Sequence, residues 1–228
     1  MTGVEAGPMQ TLEKVYNSIK SKFLEFDFDS VKKLVREALD NGASPNDVIE
    51  RSLRPAMEEA GGRFEKGEFF LAELVVAGDL FKEVMDEILI PEIQRRGGST
   101  SALGTVVIGT VRGDLHDIGK SIVATMLRAA GFNVIDLGVD VPPEKFVEAA
   151  VQNKANIIGM SALLTTTMLE MKNVIEALKQ AGIRDKVKVV VGGAAVTEEY
   201  AKSIGADAYG EDAVKAVKIC KELLGIKT

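Results

Sequence analysis

The sequence predicts an α/β protein in two parts, a helical bundle followed by a flavodoxin-like, doubly wound five-stranded parallel sheet of order 2-1-3-4-5. Three observations predict it. Residues 11–96 carry apolar side chains at three- and four-residue spacing, as helices that bury one face do. From residue 105 onward, short apolar runs alternate with helical stretches through five βα units, the pattern of a Rossmann-like parallel sheet with helices on both faces. Between the two rhythms lies the Gly- and Ser-rich stretch GGSTSALG, residues 97–104, read as a linker.

In the first part, residues 1–10 are expected to be disordered. LEKVYNSIKSKFLEF and DSVKKLVREALDNG give two helices, the second closing on a glycine stop. A third, SPNDVIERSLRPAMEEAGGRFEKG, opens on Ser44 as N-cap with Pro45 in the first helical position. Pro55 should kink that helix. The fourth, EFFLAELVVAGDLFKEVMDEILIPEIQRR, is too apolar to bury one face only, so the four are expected to form a bundle.

In the second part, residues 105–228, the predicted strands are TVVIGTV, NVIDLGV, NIIGMSAL, VKVVVGG and ADAYG. The intervening helices are IGKSIVATMLRAAG, PPEKFVEAAVQNK, TTTMLEMKNVIEALKQAG, TEEYAKSIG and DAVKAVKICKELLG.

Composition narrows the function. At 228 residues and 46% hydrophobic content, the chain suits one large domain or two small ones with a real core. A net charge of −6 argues against a nucleic-acid or anionic-membrane surface. No apolar run reaches membrane-spanning length, and MTGVEAGPMQ lacks the pattern of a signal peptide, so a cytoplasmic protein is expected. The one cysteine, Cys220, falls in an amphipathic helical pattern as a small core residue.

Ligands of such sheets bind beyond the carboxyl ends of the strands, at the switch point between strands 1 and 3. The unusual residues collect there. His116, the only histidine, follows strand 1; Ser161, Leu163 and Thr165 follow strand 3. Gly192 and Gly193 follow strand 4, and Tyr209 and Gly210 end strand 5. Gly119 stands where a helix begins, and a side chain there would hold a ligand off the helix N-terminus. The Gly192–Gly193 pair opens space beside strand 4, although ordinary turn chemistry also explains it. His116 reads either as a hydrogen-bonded loop histidine or as a metal ligand. Bare zinc or iron needs three or four protein ligands, which one histidine and a distant cysteine do not supply. A metal held in a macrocycle needs one axial ligand, and Asp114 is placed to take the other ring N–H and fix the tautomer.

Asp114-x-His116-x-x-Gly119, 41 residues, Ser161-x-Leu163, 28 residues and Gly192–Gly193 together resemble the signature of cobalamin-binding domains. RPAMEEAGGRFEKGEFFLAELVVAGDLF is similar to the helical cap that precedes that domain in methionine synthase and in the small corrinoid proteins of methanol, methylamine and methoxyaromatic methyltransferase systems. The resemblance covers roughly residues 11–225; Ala72 departs from it, where many relatives carry proline.

The resemblance implies a corrinoid protein that carries a methyl group on cobalt between two partner methyltransferases, in a Co(I)/methyl-Co(III) cycle. The cofactor would be cobalamin bound base-off, with His116 as lower axial ligand of cobalt and Asp114 and Ser161 as a hydrogen-bonded relay. Asp117, Ile118 and Gly119 would add contacts from the first loop, Leu163 and Thr165 from the third. Gly192 and Gly193 would border the nucleotide tail, and Ala194, Tyr209 and Gly210 would add cofactor contacts. On the cap, Phe69, Phe70 and Leu74 would shield the upper face, with Phe70 and Leu74 on one helix face that Ala77 continues. The implied partners are a substrate-specific methyltransferase, a second methyltransferase serving tetrahydrofolate or a thiol coenzyme, and a reductive activase. An adenosylcobalamin mutase subunit or a cobalamin sensor would share the histidine motif. The first has no need of the cap, and the second would want a basic DNA-reading segment. A flavodoxin has no reason for the motif, and a phospho-acceptor receiver would carry aspartate where this chain reads MSALLT.

Overall fold

The computed structural model describes residues 8–96 and 102–226, without the side chains of 8–11. Contacts divide the chain into two compact units, Met1–Ser101 and Ala102–Thr228. The expectations for residues 1–7 and for most of the 97–104 stretch lie outside the described residues. Two ends of those spans are described and differ from expectation: α1 (Pro8–Leu24) already begins at Pro8, and Leu103 and Gly104 belong to the second unit. The Leu103 N–H donates to the Gly131 carbonyl at 2.9 Å, and the Asn133 N–H to that of Gly104 at 2.9 Å.

In the first unit, α2 (Phe28–Asp40) is capped by Asp27, which accepts the Ser30 N–H. α3 (Pro45–Val48) starts on the predicted Ser44 cap, whose hydroxyl accepts the Asp47 N–H at 3.0 Å. A π-helical turn, Ile49–Leu53, joins α3 to α4 (Arg54–Glu65). α5 (Leu71–Val84) likewise passes through a π-helical turn, Met85–Leu89, into α6 (Ile90–Arg95). The cause is the same in both. Pro55 and Pro91 lack the N–H that would close the α-helical ladder, and the residue before each bonds five positions back, Arg54 to Ile49 and Ile90 to Met85. The kink expected at Pro55 is thus a π turn, and Pro91 repeats it. Ile19, Phe23, Val35, Leu53, Met57, Leu80 and Leu89 fill the core of this bundle.

The last apolar helix begins later than its sequence pattern suggests. Glu68 and Phe69 still donate backbone N–H groups to Arg63, completing the turn after α4. Phe70 stands at the N-cap of α5, its N–H held by the Glu73 carboxylate at 2.9 Å. That reach-back sets the entry of the helix, so Ala72 needs no proline in its place.

Among the described residues of the second unit, five strands form one parallel sheet of order β2-β1-β3-β4-β5. They are β1 (Thr105–Thr110), β2 (Asn133–Asp136), β3 (Ile157–Ser161), β4 (Lys188–Gly192) and β5 (Ala208–Gly210). The helices are α7 (Ile118–Ala129), α8 (Pro143–Gln152), α9 (Glu170–Gln180), α10 (Glu198–Ile204) and α11 (Ala213–Leu223). Side chains alternate across the strands. Val106, Ile108 and Val190 pack with Ala124, Leu127 and Cys220 of α7 and α11. Val107, Ile158 and Val189 pack with Phe146, Met171 and Val174 of α8 and α9.

One predicted helix is shorter. α9 begins at Glu170 and not at Thr165, because residues 164–169 form a turn. β-branched Thr165, Thr166 and Thr167 favour helix weakly. The Thr167 hydroxyl is also engaged outside the turn.

Candidate functional site

Strand register builds the floor of the site. Thr110, Ser161, Gly192 and Gly210 stand in one row across the carboxyl ends of β1, β3, β4 and β5. Above Thr110 the chain leaves the sheet, and residues 115–119 form an exposed stretch between two buried anchors, Asp114 and Lys120.

The first anchor is a fully buried carboxylate. Among the described residues four donors converge on it. Oδ1 accepts the His116 N–H at 3.0 Å and lies 2.7 Å from His116 Nδ1; Oδ2 accepts the Leu163 N–H at 2.8 Å and the Thr167 hydroxyl at 2.6 Å. Burial alone would raise this carboxyl. The hydrogen bonds from Thr167, from the His116 and Leu163 N–H groups and from the imidazole outweigh it and hold the group well below the usual carboxylate range. An ionised carboxylate only accepts, so Nδ1 carries a proton toward it and Nε2 is the ring nitrogen that Asp114 does not engage. The Thr110 hydroxyl donates to the His116 carbonyl at 2.9 Å and fixes the same residue from the sheet side. With its backbone held at both ends, the His116 side chain is 52% exposed.

The loop after β2 braces this arrangement. The Asp140 carboxylate accepts the Gly113 N–H at 2.7 Å, and the Asp140 N–H donates to the Asp114 carbonyl at 3.0 Å. Asp140 adopts φ +52°, a left-handed conformation that aspartate tolerates. At the second anchor, Lys120 Nζ contacts Asp136 at 2.6 Å and Asp117 at 2.7 Å, tying the first turn of α7 to β2. The Lys120 hydrogen bond holds Asp117 below its ordinary carboxylate value, against the opposing effect of burial.

The predicted residues are therefore placed as follows. His116 and Asp114 are joined, and Leu163 meets them through its backbone. Asp117, Ile118 and Gly119 are exposed on the same stretch, and a Cβ at Gly119 would meet nothing within 4 Å. Leu115, Ile118, Leu163 and Leu164 expose apolar side chains beside His116 in sequence or beside Leu163's contact with Asp114. Thr165 and Ala194 are exposed and Tyr209 half-buried.

Two expectations are corrected, and the glycine pair has a further role. Ser161 is not a partner of Asp114: its carbonyl accepts the Val111 N–H, and Thr167 supplies the hydroxyl instead. The glycine pair answers first to the protein's own backbone. At Gly193, with φ +117°, a Cβ would lie 2.1 Å from the Ala162 carbonyl oxygen, and at Gly192 2.7 Å from that of Gly210. Phe70 and Leu74 do not share a face, since Phe70 precedes the helix and is 70% exposed while Leu74 and Ala77 are buried in the bundle core. Phe69 packs on Phe26, ring centroids 5.5 Å apart, under the Arg63 guanidinium. Thr167, Thr110, Asp140 and Lys120 went unrecognised in the sequence, where each is an ordinary polar residue without a motif of its own.

A parallel sheet that presents one outward imidazole, backed by a buried carboxylate at its switch point, has the form of a cobalamin-binding domain. Two family models match, both described as B12 binding domain, over residues 104–218 and 15–89. Trimethylamine corrinoid protein 1 of Methanosarcina acetivorans is 45% identical, covering 95% of this chain and 100% of that protein. The dimethylamine corrinoid protein of Methanosarcina barkeri is also 45% identical, over 93% and 98% of the two chains. Among solved structures, the methanol:cobalamin methyltransferase complex MtaBC of Methanosarcina barkeri matches with a TM-score of 0.81 and 32% identity, covering 99% of this chain and 88% of that one. The chain belongs to the B12-binding corrinoid proteins, and its cofactor is cobalamin. The corrinoid reading thereby stands over the mutase-subunit and sensor alternatives. Among the described residues no helix is long and apolar enough to cross a membrane.

Proposed function

We propose that the protein shuttles a methyl group between a methyltransferase specific for a methylated amine and a second methyltransferase serving tetrahydrofolate or a thiol coenzyme, with His116 as the lower axial ligand of cobalt. A reductive activase completes the system, and its setting is the cytoplasm. One observation carries the reading: the His116 imidazole is held through Nδ1 by buried Asp114, which leaves Nε2 as the ring nitrogen available to a metal.

The residues fit the cofactor on their own chemistry. An exposed imidazole with a fixed tautomer suits a metal whose equatorial positions a macrocycle already fills. Leu115, Ile118, Leu163 and Leu164 offer apolar side chains to the flat ring, and open space at Gly119 admits a group to the start of α7. When bound, cobalamin supplies an electron pair on cobalt that takes up a methyl group and gives it up again. The chain's part would be to orient His116 and to hold a proton on Nδ1 toward Asp114. In the first unit, Phe70 carries an exposed ring, whereas Leu74 and Ala77 serve the bundle core.

The donor class rests on the amine-system relatives, which match in sequence along nearly their whole length. The test supplies reduced, cobalamin-loaded protein with methyltransferases for trimethylamine, dimethylamine and methanol, and follows methylation of cobalt by absorbance. Methylation with an amine system and none with methanol is expected. Methylation with methanol alone contradicts the donor assignment.

A further inference from the structure

The exposed stretch 115–119 hangs between two buried groups, and the second of them is a cation. Lys120 is the first buried residue of α7. Ile118 and Gly119 ahead of it are exposed, and apolar packing of the helix starts only with Ile122. The Lys120 side chain is 1% exposed. The three N–H donors of its ammonium are matched by three carboxylate oxygens: Asp136 Oδ1 at 2.7 Å, Asp136 Oδ2 at 2.6 Å and Asp117 Oδ1 at 2.7 Å.

The start of a helix is an unfavourable place for a positive charge, so the two aspartates hold Lys120 where the helix alone would not. Asp136 ends β2, and its Oδ1 also accepts the Gly138 N–H at 2.9 Å. Asp117 stands at the N-cap of α7, yet its side chain caps no backbone N–H. An aspartate in that place ordinarily takes the N–H of the second or third helical residue. Here the third residue, Lys120, supplies its ammonium to Asp117 Oδ1, while Oδ2 accepts the Ser121 hydroxyl at 2.9 Å. The end of the exposed stretch is thereby joined to β2 and not only to its own helix.

We infer that Lys120 is a positioning residue that holds residues 115–119, and His116 with them, in one binding-competent arrangement before cobalamin arrives. The inference rests on the reading of His116 as the cobalt ligand. A stretch already held in place loses less conformational freedom on binding, so the tie raises affinity from a buried position.

Breaking a buried pair from one side leaves an uncompensated charge and endangers the fold. The test therefore removes both charges in Lys120→Met/Asp136→Asn, whose new amide oxygen can still accept the Gly138 N–H. Hydrogen exchange is followed in the apo-protein, and cobalamin binding by stopped-flow absorbance. The Ser121 N–H, bonded to the Asp117 carbonyl at 2.9 Å, should exchange in the variant at close to the rate of an open chain, while the amides of β1 and β3 keep their protection. Cobalamin affinity should fall about tenfold, mostly through slower association, as when about a tenth of the molecules hold the competent arrangement. If the double variant does not fold, Asp117→Ala releases the same tie at its exposed end, and the Ser121 exchange is read there. Faster exchange throughout the sheet, unchanged exchange at Ser121, or unchanged affinity while the unsubstituted protein shows a protein nitrogen on cobalt overturns the inference alone. An unsubstituted protein without a protein nitrogen on cobalt, in the Co(II) paramagnetic resonance spectrum, overturns the His116 reading and this inference with it.

Discussion

The carboxylate of Asp114 accepts the backbone N–H of Leu163 at 2.8 Å, and so clamps the loop after β1 to the loop after β3. The Asp114 end of the clamp is fully buried, and the same carboxylate orients the one histidine. Stability and ligand geometry therefore share a single side chain.

Asp114→Asn should show both roles. An amide places a donor where the carboxylate received only donors, and losing hydrogen bonds to a buried charge should cost the apo-protein roughly 2–3 kcal/mol. The folded carboxyl is held below its unfolded value, so its contribution is present above the ordinary carboxyl pKa near ~3.9 and is lost as pH falls through the folded value. Denaturant melts at neutral pH and in strong acid check the sign, and the gap between wild type and variant should narrow in acid. A gap independent of pH would mean that the charge is not what stabilises.

Gly193→Ala and Gly119→Ala separate a glycine needed by the fold from one that leaves room. At Gly193 the new Cβ meets the Ala162 carbonyl at 2.1 Å with φ +117°, for which strain and overpacking each contribute roughly 1–3 kcal/mol. At Gly119 nothing lies within 4 Å, and alanine in the first turn of α7 should stabilise the apo-protein by up to about 1 kcal/mol. Thermal melts of the two apo-proteins should move in opposite directions. Cobalamin affinity should fall in Gly119→Ala despite its firmer fold.

In the cap, exposure predicts a contrast between neighbours. Phe70→Ala should change stability by no more than about 0.5 kcal/mol, as surface substitutions do. Leu74→Ala, one turn along and buried, should cost about 2–5 kcal/mol. Equal losses in the two melting curves would contradict the placement of Phe70 ahead of the helix.

Cys220 should be inert. Burial pushes its thiol up to about 12, and it packs beside Ile108 and Leu127. A thiol reagent at neutral pH should react only in denaturant, and rapid labelling of the native protein would contradict this.

What the sequence disclosed and withheld follows from range. Strand order, the Ser44 cap and the place of His116 depend on periodicity, local turn chemistry and a motif of short span, and each could be read in one dimension. Thr167 could not, because its hydroxyl matters only once a turn replaces the first residues of a predicted helix and brings it to Asp114. The π turns at Pro55 and Pro91 depend on how a long helix absorbs a missing N–H, for which proline marks the place but not the outcome. Gly193 looked like room for a ligand because the Ala162 carbonyl that needs the space comes from another strand's end.

The central claim is that His116 donates to cobalt, and isotope labelling tests it most directly. The protein is grown on heavy nitrogen, loaded with cobalamin of natural abundance, and reduced to Co(II) for paramagnetic resonance. If the axial nitrogen belongs to His116, the triplet splitting seen with unlabelled protein becomes a doublet, and His116→Ala abolishes both. A triplet that persists in the labelled protein would place the cofactor's own base on cobalt and contradict the account.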